Sequence, residues 1–85
     1  LLEAFAANRA AVLAEEGCIE YAATIDAQGI PTSKASFGDD TFVVIEKWET
    51  LAHLQAHAVA PHMKAHSEKT KELTAGKLIH VLEPV

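Results

Sequence analysis

The sequence predicts an α+β chain in the ferredoxin-like βαββαβ order, and three observations carry that prediction. A helical apolar repeat opens the chain. Two stretches with strand patterning follow, one on each side of a segment rich in Gly, Pro and Ser. A histidine-bearing helical region then leads to a last alternating stretch. In order this is helix, strand, strand, helices, strand, and one strand before it completes βαββαβ. Leu1 and Leu2 already lie inside a helical pattern with no initiator methionine before them, so the first strand is expected upstream of Leu1.

Each element has its own signal. Leu2, Phe5, Val12 and Leu13, with Ala6 among them, share one side of a helix over residues 1–16, and Gly17 is placed to end it as a left-handed cap. Ile19, Tyr21, Ala23 and Ile25 then alternate with Cys18, Glu20, Ala22 and Thr24, which is strand periodicity. Residues 27–40 read as a loop that is long for a connection between strands, either a lid or binding loop or a surface insertion. The next strand covers residues 41–49. Its two faces are Phe42, Val44, Glu46, Trp48 and Val43, Ile45, Lys47, and both have apolar content, as suits a sheet covered by helices on one side and a second sheet on the other.

Thr50 is a good N-cap, and Leu51, Leu54 and Ala58 recur behind it at helical spacing. Pro61 suits the first position of a further helix that reaches to about Thr74, because its fixed φ and missing N–H cost nothing there. Gly76 breaks the pattern. Residues 77–83 read as a final strand, with Leu78, His80 and Leu82 alternating against Ile79 and Val81.

Eighty-five residues make a single domain with a modest core, which points to stabilisation by a partner subunit. A net charge of −5 argues against nucleic acid and against anionic membrane surfaces. The lysines between Lys64 and Lys77 are offset by Glu68 and Glu72 and read as a solvated helix face. The single Cys18 cannot form an internal disulfide, so a reducing, cytoplasmic setting is expected. No apolar run has the length of a membrane span, and no signal peptide is visible.

Chemistry concentrates in the histidines. Four of the five, His53, His57, His62 and His66, fall within fourteen positions and form two i, i+4 pairs. That spacing puts both rings of a pair on one helical side, as a two-histidine metal site requires. No His-Glu protease signature accompanies either pair, and no third ligand recurs nearby, so packing or surface histidines are the commoner reading and no metal is expected. On a helical wheel His62 and His66 fall within the Met63–Thr70–Leu73 arc and His57 near the edge of the Leu51–Leu54–Ala58 stripe, while His53 points towards solvent. His57, His62 and His66 are therefore candidates to face an interior cavity. A neutral buried histidine there can act as a general base, and the simpler alternative is one that only satisfies a backbone carbonyl.

Trp48, Tyr21, Phe42 and Met63 can wall a site for a flat ring, although such residues at core spacing are more often only core. Glu46 is an acid in an apolar strand, so it must be paired with a base or lie at an interface. Cys18 follows a helix end, where the dipole disfavours a thiolate, and reads as structural. Nothing resembles a nucleophile elbow, a phosphate-binding loop or a dinucleotide fingerprint.

Glu16-Gly17-Cys18-Ile19-Glu20-Tyr21, then Phe42-Val43-Val44-Ile45-Glu46-Lys47-Trp48-Glu49, Leu54, His57 and Pro61-His62-Met63 closely resemble the antibiotic-biosynthesis monooxygenase (quinol monooxygenase-like) domain over essentially the whole chain. The resemblance implies a ferredoxin-like unit that forms a homodimer through its sheets as a dimeric α+β barrel. It also implies cofactor-independent oxidation of a small quinol or phenolic aromatic by O₂. Haem is disfavoured, because the haem-degrading branch carries a Trp where this chain has His57, and its haem ligand would align near Ser67. On this reading His57 and His62 serve as base and hydrogen-bond partner, and Trp48, Tyr21, Met63, His66 and Phe42 shape the ring site. Fold alone does not fix activity. An isomerase or lyase acting on a small carbonyl compound, a non-catalytic ligand-binding module of the stress-response kind, and a metal-dependent enzyme remain as alternatives.

Overall fold

A computed structural model describes residues 1–30 and 35–85. Helix α1 spans Leu2–Leu13, strand β1 Cys18–Thr24, strand β2 Val43–Trp48, helix α2 Leu51–Ala58 and helix α3 Pro61–Thr70, with a single 3-10 turn at Lys71–Leu73. The strands pair antiparallel, with Thr24 opposite Val43, Tyr21 opposite Glu46 and Cys18 opposite Trp48. The chain is α+β, and its helix–strand–strand–helix order is consistent with the inner part of the βαββαβ ferredoxin-like arrangement.

The core is small because the chain is short. Phe5 and Val12 from α1 and Tyr21 from β1 are buried, and Cys18, Ala23, Phe42, Val44, Trp48 and Met63 pack against them. Phe5 stacks on Tyr21 at 4.9 Å between ring centroids and meets Phe42 edge-on at 6.1 Å. Two polar ties hold α1 in place. The Arg9 Nε–H donates to the Tyr21 carbonyl at 2.8 Å, and the Asn8 side chain approaches the Met63 sulfur at 3.2 Å.

Helix α1 ends at Leu13, earlier than the apolar pattern predicts, and residues 14–17 turn instead. Gly17 closes that turn with φ of 84°, as a left-handed cap should. It is doubly required, since a Cβ there would overlap the imidazole of His53. His53 is thus packed over the turn and half-buried, less solvated than the helical wheel suggests.

Strand β1 departs from simple alternation. Cys18 is paired with Trp48 but Glu20 with Lys47, so Ile19 is an extra, bulged residue. The bulge shifts the pleat, leaving Cys18 on the core side and Ile19 exposed, although Ile19 shares the periodicity of Tyr21 in sequence. On β2, Val44 and Trp48, together with Phe42 just before the strand, pack on the helix side as expected. The other face carries Val43, Ile45 and Lys47, and Ile45 is 42% exposed. Among the described residues no second layer covers that face.

The predicted strand over residues 77–83 is not formed: it pairs with no described strand, and Leu78 and Leu82 are 88% and 87% exposed. Alternation specifies which side chains could share a face, but a strand exists only through its ladder, and here the segment has no hydrogen-bonded neighbour. The loop of residues 27–40 is held at its base, where the Asp26 carboxylate accepts the Phe37 N–H at 2.9 Å and the Gly38 N–H at 2.9 Å. Residues 31–34 of that loop lie outside the described residues. No described helix is long and apolar enough to cross a membrane.

Candidate functional site

Local sequence aims the histidines inward. The Thr50 side chain accepts the His53 N–H at 3.2 Å and starts α2, and the 3.6-residue period then puts His57 on the inner side one turn later. Pro61 starts α3 from an extended Ala60, which brings His62 to the second position of that helix, facing the turn after α1. Glu15 projects from that turn to meet both rings.

The contacts are short. The Glu15 Oε2 atom lies 2.7 Å from His57 Nδ1 and 2.9 Å from His62 Nε2. On its other side, His57 Nε2 is 3.7 Å from Glu46 Oε1, which also accepts the Trp48 indole N–H at 3.0 Å. The Trp48 ring covers His57 at 4.7 Å, and the Tyr21 ring meets it edge-on at 5.7 Å. His57 is only 4% exposed. A buried imidazole and carboxylate each pay a large desolvation cost unless paired, and here each is. No buried side-chain nitrogen or oxygen among the described residues lacks a hydrogen-bond partner.

The neighbours are electrostatically quiet. Burial, then the charges of Glu46 and Glu15, push the Tyr21 hydroxyl up to about 12, so it keeps its proton near neutral pH. Burial and the charges of Glu15 and Glu46 also raise the Cys18 thiol above its ordinary value, which disfavours the reactive thiolate.

Glu15, His57 and His62 each offer one donor atom, and these lie within 4.8 Å of one another, so the set is compositionally fit for a metal. As the three residues stand, their spacing is that of hydrogen bonds. Two ligands of one tetrahedral zinc, each at about 2.0–2.1 Å, stand about 3.3 Å apart. The observed 2.7 and 2.9 Å are N–H···O⁻ distances.

Of the residues expected at the site, His57, His62, Trp48 and Tyr21 come together. Met63 packs on the core beside α1. Phe42 lies on the far side of Phe5 and lines an open depression of about 400 Å³ with Leu1, Leu2, Ile25 and Leu73, which none of the histidines lines. His66 stands apart from the cluster, with its carbonyl bonded by the Thr70 hydroxyl at 2.9 Å. Glu46 does meet a base, His57, but from α2 rather than across the sheet. Glu15 is the residue that sequence reasoning missed. Its signal was an acid just past a helix C-terminus, where the dipole is unfavourable and an anion needs another reason to be.

His66 has a measurable signature of its own. Burial, then Lys69 and Lys77, hold its imidazole below the ordinary 6.5. The folded state therefore prefers the neutral ring. That contribution is complete above 6.5 and is lost as pH falls through the lowered folded value. Urea midpoints measured from neutral to mildly acidic pH should fall less steeply in His66→Gln than in the parent, and parallel curves would place His66 in an unperturbed setting.

Comparison with known proteins adds family. Residues 1–69 match the model of the antibiotic biosynthesis monooxygenase family. The chain is 45% identical over 85 residues, covering 99% of itself and 80% of the relative, to the probable quinol monooxygenase YgiN of Escherichia coli K12. The same figures hold for the proteins of that name from Escherichia coli O157:H7 and Shigella flexneri.

Proposed function

The chain belongs to the antibiotic biosynthesis monooxygenase family, and from that premise we propose that it oxidises a small quinol or phenolic aromatic with O₂, without a cofactor. The observation that carries this reading is the setting of His57, a dry imidazole between two carboxylates and against two aromatic rings. His57 Nε2 takes the proton of a ring hydroxyl, and the imidazolium that forms is held by Glu15 on one side and Glu46 on the other. The electron-rich ring anion then reacts with O₂ directly. A hydroquinone plus O₂ gives a hydroxyquinone plus water, so the substrate supplies all four electrons and no external reductant is needed. His62 completes the hydrogen-bonded base, and Trp48, with Tyr21 behind His57, forms the wall against which a flat ring can pack. The names of the relatives support the quinol class.

Oxygen uptake by the chelator-treated protein across a panel of hydroquinones and anthrones tests this. About one O₂ should be consumed per substrate converted. Conversion without oxygen consumption would instead indicate an isomerase or lyase, and neither conversion nor uptake would indicate a binding module.

We propose further that the protein works as a homodimer joined through the open face of the sheet. Ile45 and the bulged Ile19 are exposed apolar groups on the sheet, and the segment carrying Leu78, Ile79, Val81 and Leu82 exposes more. Sedimentation at micromolar concentration should give twice the 9.1 kDa chain mass. A stable monomer there would remove the barrel arrangement.

A further inference from the structure

Glu15 touches both histidines with one oxygen, and that geometry dictates where their protons are. A carboxylate oxygen only accepts, so the 2.7 Å contact requires a proton on His57 Nδ1 and the 2.9 Å contact a proton on His62 Nε2. A neutral imidazole carries one ring proton. The lone pair of His57 therefore lies at Nε2 and that of His62 at Nδ1. The two rings are held as opposite tautomers.

For His57 this is not the default. A free histidine side chain favours the proton on Nε2, and in this site Nε2 already faces an acceptor, Glu46 Oε1 at 3.7 Å. Two carboxylates thus compete for the single ring proton of His57. Glu15 wins on distance and burial: it sits a full ångström closer, and its side chain is 15% exposed against 30% for Glu46. Glu46 is in addition partly satisfied by the Trp48 indole N–H. The other titratable group against the ring, Tyr21, keeps its proton and does not compete as a base.

We propose that Glu15 is the positioning residue of this site, locking His57 as the Nδ1–H tautomer so that its lone pair is presented at Nε2, on the Trp48–Glu46 side, to receive the substrate proton. The last clause rests on the function proposed above, whereas the tautomer lock does not. The same oxygen ties the turn after α1 to α2 and α3, so one side chain aligns three elements and two rings. Remove the charge and Glu46 becomes the better acceptor. His57 then turns its proton to Nε2, and the base is lost although every histidine is still present. A wrong-tautomer fault of this kind is costly in hydrolytic triads, where the orienting carboxylate has the same task.

The test is long-range ¹H–¹⁵N NMR of the ¹⁵N-labelled protein, at a pH where the His57 ring carries one proton. The parent should show the proton on Nδ1. Glu15→Gln, which keeps size and can still accept one bond, should move it to Nε2 and lower kcat about 100-fold or more, with KM changed only a few-fold. Glu46→Gln should leave the proton on Nδ1, and it supplies the check if Glu15→Gln does not fold. An Nε2–H form of His57 in the parent, or the same tautomer in parent and Glu15→Gln, overturns the proposal. So does a parent protein that holds about one metal ion per chain and whose His57 and His62 resonances change when a chelator removes it. If the tautomers are as stated but no quinol is turned over, the functional reading falls and the tautomer lock stands. If quinols are turned over and the tautomers differ, the positioning role alone falls.

Discussion

Replacing His57 with glutamine should lower turnover of the quinol by about 10²–10⁴-fold, the usual contribution of a positioned proton-transfer group. Glutamine is the informative choice because its amide N–H can still donate to Glu15, whereas alanine would leave a half-buried carboxylate short of a partner and mix stability into the result. The loss should appear in kcat, since the ring is needed for proton removal rather than for holding the substrate. Stability, followed by urea denaturation alongside, should change far less than activity. Comparable turnover in His57→Gln would move the base elsewhere, with His62 as the next nitrogen in line because it shares the same Glu15 oxygen.

Phe5→Ala should destabilise the chain by about 3–5 kcal/mol. Phe5 is one of three buried apolar residues among the described residues, and by stacking on Tyr21 and meeting Phe42 edge-on it joins α1 to the sheet side. A domain of this size has roughly 4–13 kcal/mol of stability in all, so this one change should remove much of it. The effect reaches the site, because Tyr21 carries the stack on one face and meets His57 with its edge. Leu2→Ala is the control: Leu2 belongs to the same apolar pattern but is half exposed, and its truncation should cost less than about 1 kcal/mol. Equal effects for the two would mean that α1 is turned differently on the sheet.

These contrasts show what local pattern can and cannot reveal. Thr50, Pro61 and Gly17 act through hydrogen bonds and dihedral angles within a few residues, so the starts of α2 and α3 and the cap after α1 were legible. The inward aim of His57 was also legible, because it needs only the helical period. Ile19 was not, since a bulge is a property of two paired strands and the partner residues lie far away in sequence. The strand expected over residues 77–83 was wrong, because alternation in sequence does not supply a ladder. Glu15 was hidden for a similar reason. Its partners are 42 and 47 residues distant, and it stands in a turn where no period applies.

The histidines illustrate the same point in a single segment. Four at helical spacing form two i, i+4 pairs, and the helical wheel sets His53 apart from the other three, but the carboxylate that joins His57 to His62 is outside both helices. The fold takes one ring from each pair, His57 and His62, and joins them through a carboxylate contributed by the other end of the chain. His53 packs over Gly17 and His66 stays outside the cluster. Spacing within one helix could not reveal a site assembled between two.

Isotope incorporation tests the cofactor-free oxygenation most directly. Chelator-treated protein, confirmed metal-free, is supplied with the best quinol of the panel under ¹⁸O₂, and the product is read by mass spectrometry at early times. A monooxygenase that needs no cofactor gives a hydroxylated quinone carrying one ¹⁸O atom, with the other in water. An unlabelled quinone accompanied by labelled hydrogen peroxide, or a reaction that stops when metal is removed, would contradict it.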